Sequence, residues 1–401
     1  MNCRLEHNLS RPIPIIHLIT TLDVGGAEMM LLKLLPRLDA LGFSNQAVSL
    51  TNIGPVGDML LAKGIQVESL GMPRGCVTPG GLIKLKRLLS LKRPAILQTW
   101  LYHADLLGLI MGKLYRVKQV CWNIRCTDME LNKYRLNTRI TLKICALLSS
   151  IPDVVITNSI KAKTVHESLG YKTRHWERIP NGFDTAEFMP INPSKTGLKQ
   201  EIGISNDPGY ADNESSMNAP GIVIGLIARF DPMKDHKTFI EAACITLEQG
   251  LNISFVLAGK GVVWENVGLA GLIPRQWKEK FYLLGVREDI QRINCILDIA
   301  CSSSAFGEGF PNTIGEAMAC GVPCVVTDVG DSAMIVGGTG RVVPPRNPEA
   351  LAAAWKALID LGEEGRSALG EAARRRIQEH FELSRIVGQY ERLYRSLVGK
   401  D

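Results

Sequence analysis

The sequence predicts two doubly wound α/β domains in one chain, on three observations. Short Val- and Ile-rich runs alternate with longer amphipathic stretches throughout. The runs are continuously apolar, as in parallel strands covered on both faces. The 401 residues are too many for one ordinary domain and suit two of about 150–200 residues. With 46% hydrophobic and 21% charged residues, there is ample core material and no case for bulk disorder, a collagen-like chain or a coiled coil.

The first apolar run, 15–20, is a strand and not a secretion signal, because Pro14 and His17 break it and Asp23 and glycines follow it. A helical pattern covers 27–41, with Pro36 predicting a kink. Strands follow at 46–50, 95–100, 119–124 and 154–158, separated by helical patterns at 81–91, 105–114 and 136–148. The most apolar stretch, 140–157, contains Lys143, Pro152 and Asp153, so no run reaches the ~18 residues of a membrane span. The pattern restarts with a strand at 222–228 and a helix at 237–249. Further strands fall at 254–258, 281–284, 297–301 and 324–327, with helices at 313–319, 349–361, 365–381 and 384–397. Between the halves, 207–220 is polar, Gly/Pro-rich and non-periodic. The expected organisation is a first domain at 1–190, a linker with a flexible insertion at 191–221, a second domain at 222–381, and a final helical segment at 382–401.

The 46 Lys and Arg against 40 Asp and Glu give +6, but residues 1–190 carry 24 basic and 14 acidic side chains and residues 191–401 carry 22 and 26. A half at +10 beside a half at −4 points to a polyanionic partner for the first. Lys84, Lys86, Arg87, Lys92 and Arg93 are candidates for anionic lipid headgroups, or else an ordinary solvated helix face. Basic residues are not interleaved with aromatics, which disfavours nucleic acid. Ten cysteines without a CxxC pair suit reduced thiols in a cytoplasmic protein. The seven histidines show no ligand spacing, so neither a bound metal nor any other cofactor is expected.

In open α/β sheets ligands bind beyond the carboxyl ends of strands, and the informative residues fall there. Gly25 and Gly26 stand at the first strand-to-helix turn, where glycines let backbone approach an anion. This is not the GxGxxG pattern of dinucleotide sites. After the strand at 222–228, Arg229 and Lys234 lie five apart on one loop, a spacing that can clamp a diphosphate. The most specific segment is Phe306-Gly-Glu-Gly-Phe-Pro-Asn-Thr-Ile-Gly-Glu-Ala-Met-Ala-Cys-Gly-Val-Pro323. Glu308 and Glu316 flank the start of a helix whose N-terminus can hold a phosphate, and carboxylates bind vicinal hydroxyls. Alone, two such glutamates are ordinary solvated charges; the flanks reverse that reading.

With these motifs the chain resembles a retaining, GT-B-fold glycosyltransferase of family 4, the group containing bacterial polysaccharide and lipopolysaccharide transferases. Further carriers are the opening 17–28, Tyr102-His103-Ala104-Asp105, Val155-Ile-Thr-Asn-Ser159, Ile179-Pro-Asn-Gly-Phe-Asp184, Ala258-Gly-Lys-Gly261, Leu284-Gly285 and Val326-Thr-Asp-Val-Gly330. The resemblance implies two facing Rossmann-like domains with an interdomain cleft, and a last helix crossing back to the first domain. It implies transfer of a hexose from a nucleoside-diphosphate sugar to a glycan or lipid-pyrophosphate-linked acceptor. The setting would be the cytoplasm or the inner face of the plasma membrane, in cell-surface polysaccharide biosynthesis. The diphosphate would meet Gly25, Gly26, Arg229 and Lys234, while His103 would touch the donor sugar. Glu308, with the backbone of Gly309, Phe310, Pro311, Asn312 and Thr313, would hold sugar hydroxyls. Glu316 would hold the ribose, and the backbone at Gly285 and Val286 the base. His103, Arg229, Lys234 and Glu308 would be the catalytic set. No DxD triplet occurs, so cations replace a metal. Asn123 and Arg125, at a strand end, are expected to meet the acceptor. Gly338, where relatives often have Asp, and the 207–220 insertion depart from the family pattern. A nucleotide-sugar 2-epimerase or a non-catalytic nucleotide-sugar sensor would share the architecture.

Overall fold

The computed structural model describes residues 11–127, 136–191, 194–204 and 221–399; the expected insertion at 207–220 lies outside them. Its first half runs β1 (Ile13–Ile19), α1 (Gly26–Asp39), β2 (Phe43–Ser49), α2 (Gly54–Ala62), β3 (Gln66–Ser69), α3 (Pro79–Lys92) and β4 (Ile96–Trp100). It continues with α4 (Tyr102–Leu114), β5 (Gln119–Ile124), α5 (Leu136–Leu148), β6 (Val154–Thr157), α6 (Ile160–Ser168) and β7 (Trp176–Arg178). After α7 (Ser194–Glu201) come β8 (Ile222–Ile227), α8 (His236–Glu248), β9 (Ile253–Ala258), α9 (Val267–Ala270), β10 (Phe281–Leu283) and α10 (Ile290–Ile296). The rest is β11 (Ile299–Ser302), α11 (Asn312–Ala319), β12 (Cys324–Thr327), α12 (Ser332–Val336), β13 (Gly340–Val343), α13 (Pro348–Ile359), α14 (Gly362–His380) and α15 (Leu383–Val398).

The strands form two parallel sheets, in the orders β3-β2-β1-β4-β5-β6-β7 and β10-β9-β8-β11-β12-β13. Ile15 pairs with Asn45 on one side and Ile96 on the other, and Ile224 likewise stands between Phe255 and Ile299. Strand order reverses between β1 and β4 and again between β8 and β11. Right-handed crossovers then send the connecting helices to opposite faces. Residues of α1, α2 and α15 pack on one face of the first sheet, and residues of α3, α4 and α5 on the other. Each reversal opens a crevice at the strands' carboxyl ends.

The sheet interiors and the edge strand β10 match the apolar runs; the other edges do not. Strands β3, β7 and β13 are absent from the sequence expectation, and all three lie at sheet edges. Such strands are short and polar because one side meets no partner strand. Helices α2, α6, α10 and α12, all of nine residues or fewer, also escape a periodicity reading. Helix α1 runs through Pro36 to Asp39, where the missing N–H lies within the last turn.

The chain crosses between the halves twice, side by side. Phe183 N–H donates to Phe381 C=O, and Leu383 N–H to Phe183 C=O, both at 2.9 Å. Beyond this pair α15 buries Ile386, Val387, Tyr390, Leu393, Tyr394 and Leu397 in the core of the first half. Among the described residues no helix is long and apolar enough to cross a membrane.

Candidate functional site

The two crevices face each other. On the first half, the β1–α1 turn supplies Gly25 and Gly26. A Cβ on Gly25 would stand 2.4 Å from a carboxylate oxygen of Glu28, and one on Gly26 would stand 3.6 Å from Nδ2 of Asn312 in the other half. Gly26 and the start of α11 therefore confront each other across the cleft. His103 lies in the first turn of α4, which begins three residues earlier than its sequence pattern suggests. The preceding Leu101 has φ 72°, in a region costly for a branched side chain. Nε2 of His103 is buried without a hydrogen-bond partner among the described residues, and burial holds the ring below its ordinary pKa. His103 lines a cavity of about 180 Å³ with Thr20, Leu50, Met72, Val77 and Ile110. His17, by contrast, is a core residue, bonded to Asn45 at 2.9 Å and to Trp100 at 3.3 Å; burial pushes it down to about 4.

On the second half, the ends of β8 and β11 bring Lys234 and Glu308 into contact as a buried ion pair. Ser304 Oγ donates to the same carboxylate oxygen at 2.7 Å. Burial alone would raise Glu308, but the charge and hydrogen bond of Lys234, then Ser304 and the charge of Arg229, hold it below its ordinary value. Arg229 itself is half exposed and paired with Asp231 at 3.2 Å. The Glu308 loop is braced from beneath: a Cβ on Gly330, whose φ is +60°, would stand 2.3 Å from the Glu308 carbonyl oxygen. Thr127 of the first half donates to that carbonyl.

Pro311 occupies the N-cap of α11, and Asn312 is the first helical residue. Phe310 is buried between Phe183 and Phe381, which anchors Gly309 to Thr313 at the cleft. Glu316 is pushed up by burial, opposed by Lys33 of α1, whose Nζ is 3.2 Å away. The tips of β9 and β10 are glycine-built: Gly259 N–H donates to Gly285 C=O at 2.7 Å. Gly285 has φ +65°, and Val286 beside it is 72% exposed.

Asn123 is a correction. It and Arg125 are expected at the cleft surface, yet Asn123 is fully buried and donates to Tyr390 Oη at 3.2 Å. Arg125 donates to the same oxygen and to Asn181 at 2.6 Å, and its guanidinium lies 4.7 Å from the Trp100 ring centre. Both tie α15 to β5, and Arg125 stays half-buried beside Asn181.

Several cleft residues stand outside the sequence expectation. Lys33 is one. Asn181 donates to Asn312 at 2.6 Å. Asp331 reaches across to the N-terminus of α6, accepting from Ser159 Oγ at 2.6 Å and from the backbone N–H of Ile160 and Lys161 at 2.8 and 3.2 Å. Ser159 also caps its own helix by accepting from Ala162, and that cap was the readable signal. Among the described residues, no three His, Cys, Asp or Glu side chains gather as a metal group.

Residues 24–187 match the family model described as Glycosyltransferase Family 4, and residues 221–360 match that of Glycosyl transferases group 1. EpsF of Bacillus subtilis is 29% identical over 155 residues, 37% of this chain and 35% of that protein. The Escherichia coli UDP-Gal:alpha-D-GlcNAc-diphosphoundecaprenol alpha-1,3-galactosyltransferase is 27% identical over 261 residues, 64% of this chain and 63% of that one. The match thus spans less than two thirds of either relative. HepE of Anabaena, solved with UDP-glucose, superposes with a TM-score of 0.79 at 20% identity, covering 96% of this chain and 99% of that one. At that identity the likeness concerns the fold.

Proposed function

The chain belongs to the group 1 glycosyltransferases of family 4, and we propose that it moves a hexose from a nucleoside-diphosphate sugar to a glycan or lipid-pyrophosphate-linked acceptor with retention of anomeric configuration. The observation that carries this reading is the Lys234–Glu308 pair at the mouth of the β8/β11 crevice, beside the start of α11, where Asn312 faces Gly26 across the cleft. A buried carboxylate held ionised accepts sugar hydroxyls, while Lys234, Arg229 and the amides opening α11 receive the diphosphate.

In the reaction the bond from the anomeric carbon to the diphosphate oxygen breaks. The acceptor oxygen bonds to the same face of that carbon, and the acceptor's proton passes to the departing diphosphate oxygen. Charge develops on the diphosphate, where preorganised cations and helix amides act most strongly. No side-chain nucleophile is required. Glu316 takes the ribose hydroxyls once Lys33 yields or shares it, and the backbone at Gly285 and Val286 takes the base. The E. coli relative acts, by its name, on a diphosphoundecaprenol-linked sugar, which supports a lipid-linked acceptor and a place in cell-surface polysaccharide synthesis.

A panel of nucleotide sugars read by thermal shift identifies the donor, since a ligand at 100 times its Kd adds about 2.7 kcal/mol. Product analysis then follows the anomeric configuration, with and without EDTA. Transfer with retention, undiminished by EDTA, is expected. Metal-reversible loss of activity overturns the metal-free mechanism, and an inverted product overturns retention. A new nucleotide sugar formed without acceptor identifies an epimerase, and binding without turnover a sensor.

A further inference from the structure

The start of α4 is a turn that its own residues do not explain. Leu101, just before the helix, has φ 72° and ψ 150°, a combination open to glycine and held by other residues only where the surroundings impose it. Among the described residues no side chain caps the helix there. His103 follows in the first turn, lining its cavity with a buried Nε2 that has no hydrogen-bond partner among the described residues.

What imposes the turn lies beneath it. Tyr102, between Leu101 and His103, is buried, and its Oη stands 2.7 Å from Nε2 of His166, a fully buried residue of α6. The direction of this bond follows from the far side of the imidazole. Nδ1 of His166 lies 2.7 Å from the carbonyl oxygen of Ala162, which can only accept, so Nδ1 carries the proton. Burial keeps the ring neutral, pushed down to about 4. Nε2 is therefore an acceptor, and the Tyr102 hydroxyl donates to it. The hydroxyl oxygen accepts in turn from Cys126 Sγ at 3.0 Å. On the other side of His103, the buried Asp105 accepts from Thr99 Oγ1 at 2.5 Å. The His103 turn is thus bracketed by two buried anchors. Helix α6 has its own footing, because Asp331 of the second half holds its first amides. For stability alone, two apolar side chains of the same shape would serve as well as a hydroxyl and an imidazole. A directional bond adds a fixed position.

We propose that Tyr102 and His166 are positioning residues: their hydrogen bond locks the Leu101 turn and so fixes where the His103 ring stands in the cleft. That this ring meets the donor sugar rests on the transferase reading; the lock itself does not.

Two measurements test it together: turnover of the nucleotide sugar selected by thermal shift, with water as acceptor, and deuterium uptake at the amides of 101–105. Tyr102→Phe removes only the hydroxyl. It is expected to lower kcat about tenfold or more with donor KM unchanged, as displacement of a group beside the reacting atoms does. His166→Leu is expected to match it. His166→Gln, whose Oε1 can accept in place of Nε2, is expected to stay within about twofold of wild type. Added to His103→Ala, Tyr102→Phe is expected to cost nothing further, because it acts only through that ring. Uptake at 101–105 is expected to quicken in Tyr102→Phe and His166→Leu and not in His166→Gln. Additive losses in the double variant, a failure of His166→Gln to recover kcat, or unchanged uptake in Tyr102→Phe each overturns the proposal. So does a lowered melting temperature with kcat intact, the mark of a packing role. Full turnover in His103→Ala also overturns it and spares the transferase reading. A wild type that binds donor without releasing nucleoside diphosphate defeats that reading instead, and uptake then decides the lock.

Discussion

Lys234 and Glu308 compensate each other's burial, so neither is a simple substrate contact. Replacing Lys234 with Ala removes a stabiliser of the leaving group and is expected to cut turnover ~10²-fold or more. It also leaves Glu308 buried without its cation, at a cost on the order of 3 kcal/mol. The double change Lys234→Met with Glu308→Gln separates the effects: melting temperature recovers while turnover stays low. Recovery of turnover in the double variant would show that the pair is structural. Glu28, beneath the Gly25 turn, makes a pH prediction. Burial lifts it from 4.5 to about 7, opposed by a hydrogen bond from its own backbone and reinforced by Asp23. Between those values the folded chain holds a proton that the unfolded chain has released, so stability falls as pH rises through that window. Glu28→Gln should therefore match wild type near pH 4 and melt progressively higher than it up to pH 8, a trend that thermal denaturation across pH measures.

At the scale of elements, α11 is positioned by what lies behind it. A Cβ on Gly315 would stand 2.0 Å from the Phe183 ring, so the helix sits directly on the crossing between the halves. Gly315→Ala should cost about 1–3 kcal/mol through overpacking and weaken nucleotide binding by displacing Asn312 and Glu316. Calorimetry of binding and unfolding reads both, and an unchanged affinity would show that α11 is free to shift. The elements themselves were unevenly legible in the sequence. Interior strands such as β8, with six apolar or glycine residues in a row, announce themselves because both faces are covered. Edge strand β3 reads Gln-Val-Glu-Ser and carries no such signal. The misplacement of Asn123 has the same kind of cause: its strand end was legible, but the cover that α15 places over it comes from more than 260 residues away.

For the whole molecule, most of the second half's contribution to the cleft was legible because Phe306 to Pro323 is contiguous and Arg229 and Lys234 share one loop after β8. Of the first half's, Gly25 and Gly26 were legible at their strand-to-helix turn, whereas the contacts of Lys33, Ser159 and Asn181 with Glu316, Asp331 and Asn312 needed the fold. The halves are joined by Lys33–Glu316 and Lys161–Asp328 ion pairs as well as by Asp331. Asp331→Ala should weaken this closure by about 1–2 kcal/mol, the scale of a lost cap with its dipole contribution. An increased radius of gyration in X-ray scattering is the expected result, and an unchanged one would mean that the ion pairs suffice. Because Asp331 holds the Ile160 and Lys161 amides from the opposite half, their deuterium uptake is a clock for the cleft: each exchange event at these two positions records a moment when the protein stood open.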